Sequence, residues 1–466
     1  MHFIKKLFGF SLGPILGAII SFVTVPLTTY FINPAEYGKT SLFTMIQSIL
    51  MVVTYLGMDQ VFVREYHEEN KKVKMLTNCI FVPLILSLLL IFLSPLFSKN
   101  LSIWMFGEEN REVIYVLAIT IPFLVIERFI LISIRMEEKA LLYSTITVSI
   151  KIVILVLTFV FIFFIRRDYL AIVYSTLIGQ IISDLLIFIR YHDKIKINLS
   201  CIDFNTIIKY LKYGIPLALS AVIGYLLNST DKIFLRYFST YEELGYYSVA
   251  MRVASLLLII QNSFGAFWAP VAFRWRHENK NNEYFEMVNR LLSLTMSLIF
   301  LFILTFKFLL PIIFSSNYSN SIKIIPFLLF YPMMSIVSST TELGIQYTKK
   351  SYITVISTVI SLSVNIVLDY FLVPGYAAVG ASIATGISYI VFFWIRTIAS
   401  RKLWFKFNVN HLIYITCILF FSSLVSTIID NQIIIIFVNL ILSILICFIY
   451  RKDLEKIISF IVNLKK

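Results

Sequence analysis

YFINPAEYGKTSLFTMIQSIL, residues 30–50, and YFSTYEELGYYSVAMRVASLL, residues 237–257, align without a gap. Tyr30-Phe31 falls on Tyr237-Phe238, and Glu36, Gly38 and Ser41 fall on Glu243, Gly245 and Ser248. Ser48 and Leu50 meet Ser255 and Leu257. An internal repeat sets the architecture before any single residue does. The chain therefore reads as two related halves, each opening with a helical hairpin. The second copy lies within Lys209–Arg274. There a helix enters the membrane (Tyr210–Ser229), a charged turn follows (Asp231, Lys232, Arg236, Glu242, Glu243), and a returning helix (Leu244–Trp268) carries Arg252 in an apolar run.

Of the 466 residues, 59% are hydrophobic and only 14% are charged. A soluble domain cannot hide that much apolar surface, so the expected class is an all-α, polytopic membrane protein. At roughly 20 apolar residues per crossing, the runs give about fourteen helices, from Leu7–Tyr30 to Ile433–Tyr450. Tyr352–Val373 and Val379–Ala399 are read as two of them. Residues 1–200 are expected to form one six-helix bundle and residues 201–405 a second, with two additional helices and a basic tail in 406–466. The first apolar run follows Lys5 and Lys6 but is too long for a signal peptide and lacks a small-residue cleavage site, so it reads as an uncleaved helix. The formal charge is +14. It is split among short loops, which argues against a nucleic-acid partner. Roughly 28 of the Lys and Arg residues fall on the N-terminal side of the membrane and about 8 on the other, which places both termini in the cytoplasm. The longest polar connections are Arg190–Lys209 and Arg274–Arg290.

Four cysteines and five histidines show no ligand spacing, so neither a metal nor a cofactor is expected. No Gly-rich phosphate loop is present, which excludes an ATP-driven pump acting alone. The informative residues are the cations inside apolar helices: Arg128, Lys151, Arg252 and Lys307. A charge near the bilayer centre costs about 2.5–3.5 kcal/mol, so such residues face a protein interior or a water-filled cavity, or snorkel to the headgroups. Snorkelling suits Lys307, between Phe306 and Phe308. A cavity suits Lys151 and Arg252. Arg128 stands beside Glu127, with which a local ion pair competes. Asp59, Glu127, Asp184, Asp231 and Asp369 are the acids in or at the ends of helices. Each either binds a coupling cation or proton, or caps and pairs locally. Pro14 and Pro26 in the first helix and Gly214 with Pro216 in the seventh are ordinary kinks or hinges. Several cations with few matching anions suit a negatively charged substrate.

These residues resemble the Wzx-type oligosaccharide flippases of the polysaccharide transporter family, in the multidrug/oligosaccharidyl-lipid/polysaccharide exporter superfamily. The match runs through Gly13-Pro14, Pro34–Gly38, Leu56-Gly57-Met58 and Arg64. It continues through Tyr213–Pro216, Asp231-Lys232 and Leu244–Ser248 to Asn365, Leu368–Tyr370 and Val373–Thr385. The resemblance implies two pseudo-symmetric six-helix bundles around a central cationic cavity, with two further C-terminal helices. It implies movement of an undecaprenyl-pyrophosphate-linked oligosaccharide, for O-antigen, capsule or a related polymer, across the bacterial inner membrane by alternating access. Arg252, Lys151, Arg128, Arg64 and Lys307 are the implied headgroup-binding cations. Asp231, Glu127, Asp59 and Asp369 are the implied coupling or gating acids, and Pro14, Pro26 and Pro216 the hinges. Membrane lipid, a glycan polymerase and a chain-length regulator are the implied partners, and no enzymatic activity is expected. A MATE-type drug exporter and a lipid II flippase are the alternatives; the mid-helix cations count against the first, whose organic-cation cargo wants an acidic cavity.

Overall fold

The computed structural model describes residues 2–66, 68–69, 71–192 and 197–451, apart from the side chains of residues 2–12, 14, 262, 263 and 266. The chain divides into two compact units, Met1–Ser229 and Thr230–Lys466.

In the first unit α1 (His2–Phe31) is followed by α2 (Pro34–Tyr55) and α3 (Met58–Glu65). Asn33 caps α2, its side chain accepting from Glu36 N at 2.9 Å, and Pro34 takes the first helical turn, where its missing N–H costs nothing. Leu56 and Gly57 have φ of 45° and 73°, and α2 and α3 meet at 51° as one bent span. Long helices α4 (Lys72–Phe106), α5 (Arg111–Met136) and α6 (Ala140–Val160, ending in a π turn) follow. Then come α7 (Tyr169–Tyr191) and α8 (Phe204–Leu227). Helix α8 was expected to open the second bundle, but it packs on α2 and α3 in the first unit. The reason is a backbone-to-backbone approach. A Cβ on Gly57 would lie 2.2 Å from Gly214 O, and one on Gly214 would lie 2.7 Å from Leu56 O. Asp203 caps α8 and bonds Lys74 Nζ at 2.9 Å; that hydrogen bond holds its carboxyl down to about 2.

The second unit begins with α9 (Thr230–Phe238), α10 (Tyr241–Ser255) and α11 (Leu257–His277). The charged turn read from the sequence is thus mostly helical, and Asp231 within it is wholly buried. Helix α11 and α12 (Asn282–Phe306) also absorb most of the expected loop Arg274–Arg290. Short helices α13 (Leu310–Phe314), α14 (Ser321–Leu328), α15 (Phe330–Thr341) and α16 (Leu343–Tyr347) precede the 52-residue α17 (Tyr352–Leu403). At 1.5 Å per residue α17 would be about 78 Å long, far beyond one crossing. It breaks at Ala377 (φ 45°, ψ −128°), between the two spans read from the sequence. Helices α18 (Asn410–Ile428) and α19 (Gln432–Ile449) pack on α12.

Among the described residues, eleven helices are long and apolar enough to cross a membrane, and the bent α2–α3 pair makes a twelfth. Counting the Ile15–Phe31 part of α1 and the two segments of α17 separately restores the count of about fourteen. The chain is an all-α, polytopic membrane protein.

The repeat also explains two helix starts. Glu36 Oε2 accepts from Tyr169 N at 3.0 Å, the first residue of α7. Glu243, its counterpart, accepts through Oε2 from Ala378 N at 3.2 Å, where α17 resumes after its break. Each glutamate thus places its carboxylate against free N–H groups at a helix start, where charge and dipole both favour it. The local caps repeat as well, Thr240 accepting from Glu243 N as Asn33 accepts from Glu36 N.

Two buried polar clusters as the candidate functional site

In the first unit the ionisable residues of four spans converge. Arg128, on α5, donates to Asp59 Oδ2 from Nη2 at 2.7 Å and from Nε at 3.2 Å. The Asp59 side chain is 8% exposed and that of Arg128 43%, so the guanidinium keeps an open side. Its carbon sits 5.8 Å from the centre of the Tyr55 ring. Glu127 turns elsewhere: its Oε2 accepts from Gln180 Nε2 at 2.8 Å, and the same nitrogen donates to Asp184 Oδ1 at 2.8 Å. Lys151 lies exposed on α6. The expected Glu127–Arg128 pair therefore gives way to Arg128–Asp59 and Gln180–Glu127, because adjacent residues on a helix do not face each other. Gln180 escaped the sequence reading; its spacing of four from Asp184 in an apolar helix was the available signal.

Other predicted residues lie apart from this cluster. The Arg64 guanidinium stacks 4.1 Å from the Tyr213 ring centre, with Glu65 Oε1 3.7 Å from its Nε. Pro26 and Pro216 lie within α1 and α8, both of which run on past them. The side chain of Pro14 lies outside the described residues.

In the second unit the polar residues gather around Asp231. Its Oδ2 accepts from Tyr247 OH at 2.7 Å and its Oδ1 from Asn365 Nδ2 at 3.1 Å. The Tyr247 hydroxyl lies 3.2 Å from Thr385 Oγ1, which donates to Ala381 O at 3.1 Å. Asp369 is wholly buried beside this cluster. Neither Asp369 oxygen, nor Asn365 Oδ1, accepts a hydrogen bond from a neighbouring donor. As carboxylates Asp231 and Asp369 only repel; a proton between them would form a bond. Two buried carboxyl groups with surplus oxygens can share a proton.

The cations of this unit behave differently from one another. Arg252 is exposed in the last turn of α10, close enough to Lys232 for the two charges to repel. Lys307 neither snorkels nor faces open space: it is 3% exposed and its ammonium donates to Ser426 O of α18. Arg396 lies half-buried in α17. It donates to Glu342 Oε2 at 2.7 Å and Ser357 Oγ at 2.9 Å, and lies 3.8 Å over the Phe392 ring.

Residues 3–276 match the family model described as polysaccharide biosynthesis protein. The probable low-salt glycan biosynthesis flippase Agl15 of Haloferax volcanii is 22% identical over 225 residues, which are 47% of each chain. The match thus spans about half the length of that curated relative. Among solved structures, the lipid II flippase MurJ in an inward closed conformation superposes with a TM-score of 0.71 at 18% identity, over 95% of this chain and 99% of that one. An outward-facing multidrug resistance MATE family transporter of the MOP superfamily gives 0.62 at 16% identity, over 85% and 95%. At these identities the likeness is one of fold. The family match covers more than half of the sequence, and the chain belongs to the polysaccharide biosynthesis protein family.

Proposed function

We propose that this protein is a flippase for a lipid-linked oligosaccharide, moving an undecaprenyl-pyrophosphate-linked repeat unit of O-antigen, capsule or a related glycan from the inner to the outer leaflet. The observation that carries this reading is the presence of two exposed cations, Arg128 and Lys151, on spanning helices of the first unit. Arg128 is paired with Asp59 and keeps an open side at 43% exposure, and Lys151 is exposed on α6. Arg252 supplies a further exposed cation in the second unit. A diphosphate headgroup suits such a set, and the family and the named relative support a glycan carrier. A drug exporter would have no use for these cations.

In this reading the protein sits in a bacterial inner membrane with both termini in the cytoplasm. The two repeat-related halves alternate access, with Pro14, Pro26 and Pro216 as hinges. Outward movement of an anion through 100 mV is worth about 2.3 kcal/mol per charge, and the Asp231–Asp369 site adds coupling to a proton or cation. A glycan polymerase and a chain-length regulator would receive the product. The test is complementation of a deletion strain. Lys151→Ala and Arg252→Ala should lose surface glycan at normal membrane abundance, with Arg252→Lys partly restoring it. Normal export by both alanine variants would refute the headgroup assignment.

A further inference from the structure

The start of α4 carries a cleft that cargo binding does not use. It measures 870 Å³ and is lined by Lys71, Lys72 and Lys74 together with Asn198, Ser200 and Asp203. The first residue of α4 is Lys72 and that of α8 is Phe204, and both helices are long and apolar enough to span. The lysines therefore stand at the level where a bilayer passes from hydrocarbon to headgroup. Lys74 is ion-paired with Asp203 at 2.9 Å. Lys71 and Lys72 are exposed, the second lying 4.4 Å over the Tyr66 ring. Glu69, the nearby acid, accepts from the Lys71 backbone N–H at 3.1 Å. Among the described residues, no carboxylate is ion-paired with the ammonium of Lys71 or Lys72. The far wall, residues 198–203, is held in place by two wholly buried side chains in the second turn of α4. Thr77 Oγ1 accepts from Asn198 N at 3.2 Å, Asn78 Nδ2 donates to Cys201 O at 3.1 Å, and Asn78 Oδ1 accepts from Asp203 N at 2.8 Å. With the backbone fixed in this way, Leu199 and Phe204 stand outward, 71% and 68% exposed. Large apolar side chains beside lysines are unfavourable in water and suit the depth at which acyl chains begin. A soluble anion would use the lysines and leave Leu199 and Phe204 unexplained, whereas a phospholipid of net negative charge uses both.

We propose that this cleft is a specific site for a phospholipid of net negative charge, its phosphate against Lys71 and Lys72 and its glycerol and upper acyl chains against Leu199 and Phe204. A lipid so placed bridges the start of α4 and the connection between α7 and α8. The site is separate from Arg128, Lys151 and Arg252, and it stands whether or not those cations bind a diphosphate.

The experiment uses the purified full-length protein, delipidated in detergent and titrated with phosphatidylglycerol or phosphatidylcholine, bound lipid being counted by native mass spectrometry. Phosphatidylglycerol should bind more tightly than phosphatidylcholine. Lys71→Gln with Lys72→Gln should weaken phosphatidylglycerol by about 25-fold, about fivefold per lysine, and leave phosphatidylcholine as it is. The same charge change at two exposed lysines elsewhere, Lys349→Gln with Lys350→Gln, should have no effect. Leu199→Ser with Phe204→Ser should weaken phosphatidylglycerol but not glycerol phosphate, the headgroup without its chains. All six substitutions are at exposed positions, and a monodisperse size-exclusion peak establishes that each variant folds. A photo-crosslinking phosphatidylglycerol should label residues 197–204. Equal weakening by the two lysine pairs, or none from Lys71 and Lys72, would overturn the site. Glycerol phosphate binding as tightly as the lipid, with no loss on replacing Leu199 and Phe204, would make the cleft a soluble-anion site and overturn the lipid assignment.

Discussion

Arg128 reaches Asp59, 69 positions away, rather than its neighbour Glu127. The cations themselves were legible in the sequence, because a charge in an apolar run is costly and demands an explanation. Their partners were not, because the alternatives differ only in the direction each side chain leaves its helix. The pair gives a direct prediction. Arg128→Ala strands a buried carboxylate, and with the guanidinium half exposed the loss should be about 1–3 kcal/mol, below the full cost of breaking a buried pair. Asp59→Asn added to Arg128→Gln should recover most of it, as read by thermal unfolding in detergent. Lys307 shows the opposite lesson. Snorkelling looked natural between two phenylalanines, but the ammonium found a carbonyl on α18, an element too far along the chain for local reading. Lys307→Met should therefore retain surface glycan export, while Lys307→Asp, which puts an acid against a carbonyl oxygen, should lower membrane abundance.

At the scale of elements, the repeat is more informative than its few identities suggest. Glu36 and Glu243 occupy equivalent places in the alignment and do equivalent work at the starts of α7 and of the second segment of α17. Glu36→Gln and Glu243→Gln should each cost about 0.3–1 kcal/mol, the usual worth of a charge at a helix N-terminus, and a matched pair of losses would confirm the equivalence. The break in α17 was legible from span length alone, since Val373 and Val379 bracket Ala377. Its backbone angle was not, because the residue in the strained position is alanine. Ala377→Gly should stabilise the protein, by part of the roughly 1–3 kcal/mol that such a conformation costs, in the same unfolding assay. Gly57→Ala faces both a positive φ and Gly214 O, and should abolish accumulation of folded protein. Gly224, with nothing within 4 Å of a Cβ, is the matched control for alanine substitution in a neighbouring helix.

At the scale of the whole molecule, hydropathy settled the class and the approximate number of spans, because bilayer thickness imposes a fixed length. It does not say which helices each compact unit gathers. The repeat restarts near α8, but glycine-to-glycine contact ties α8 to α2 and α3, and such contact leaves no trace in a hydropathy profile. The two polar clusters divide between the units, with a mixed cation–acid network in one and a carboxyl pair with surplus oxygens in the other. Headgroup capture in the first and ion coupling in the second would give each unit its own task. Lipid analysis of a strain that lacks this protein but keeps its glycan-initiating enzyme tests that account most directly. The account predicts one diphosphate-linked oligosaccharide accumulating on the cytoplasmic leaflet, with loss of surface polymer. An unchanged lipid pool, together with altered sensitivity to cationic drugs, would contradict it.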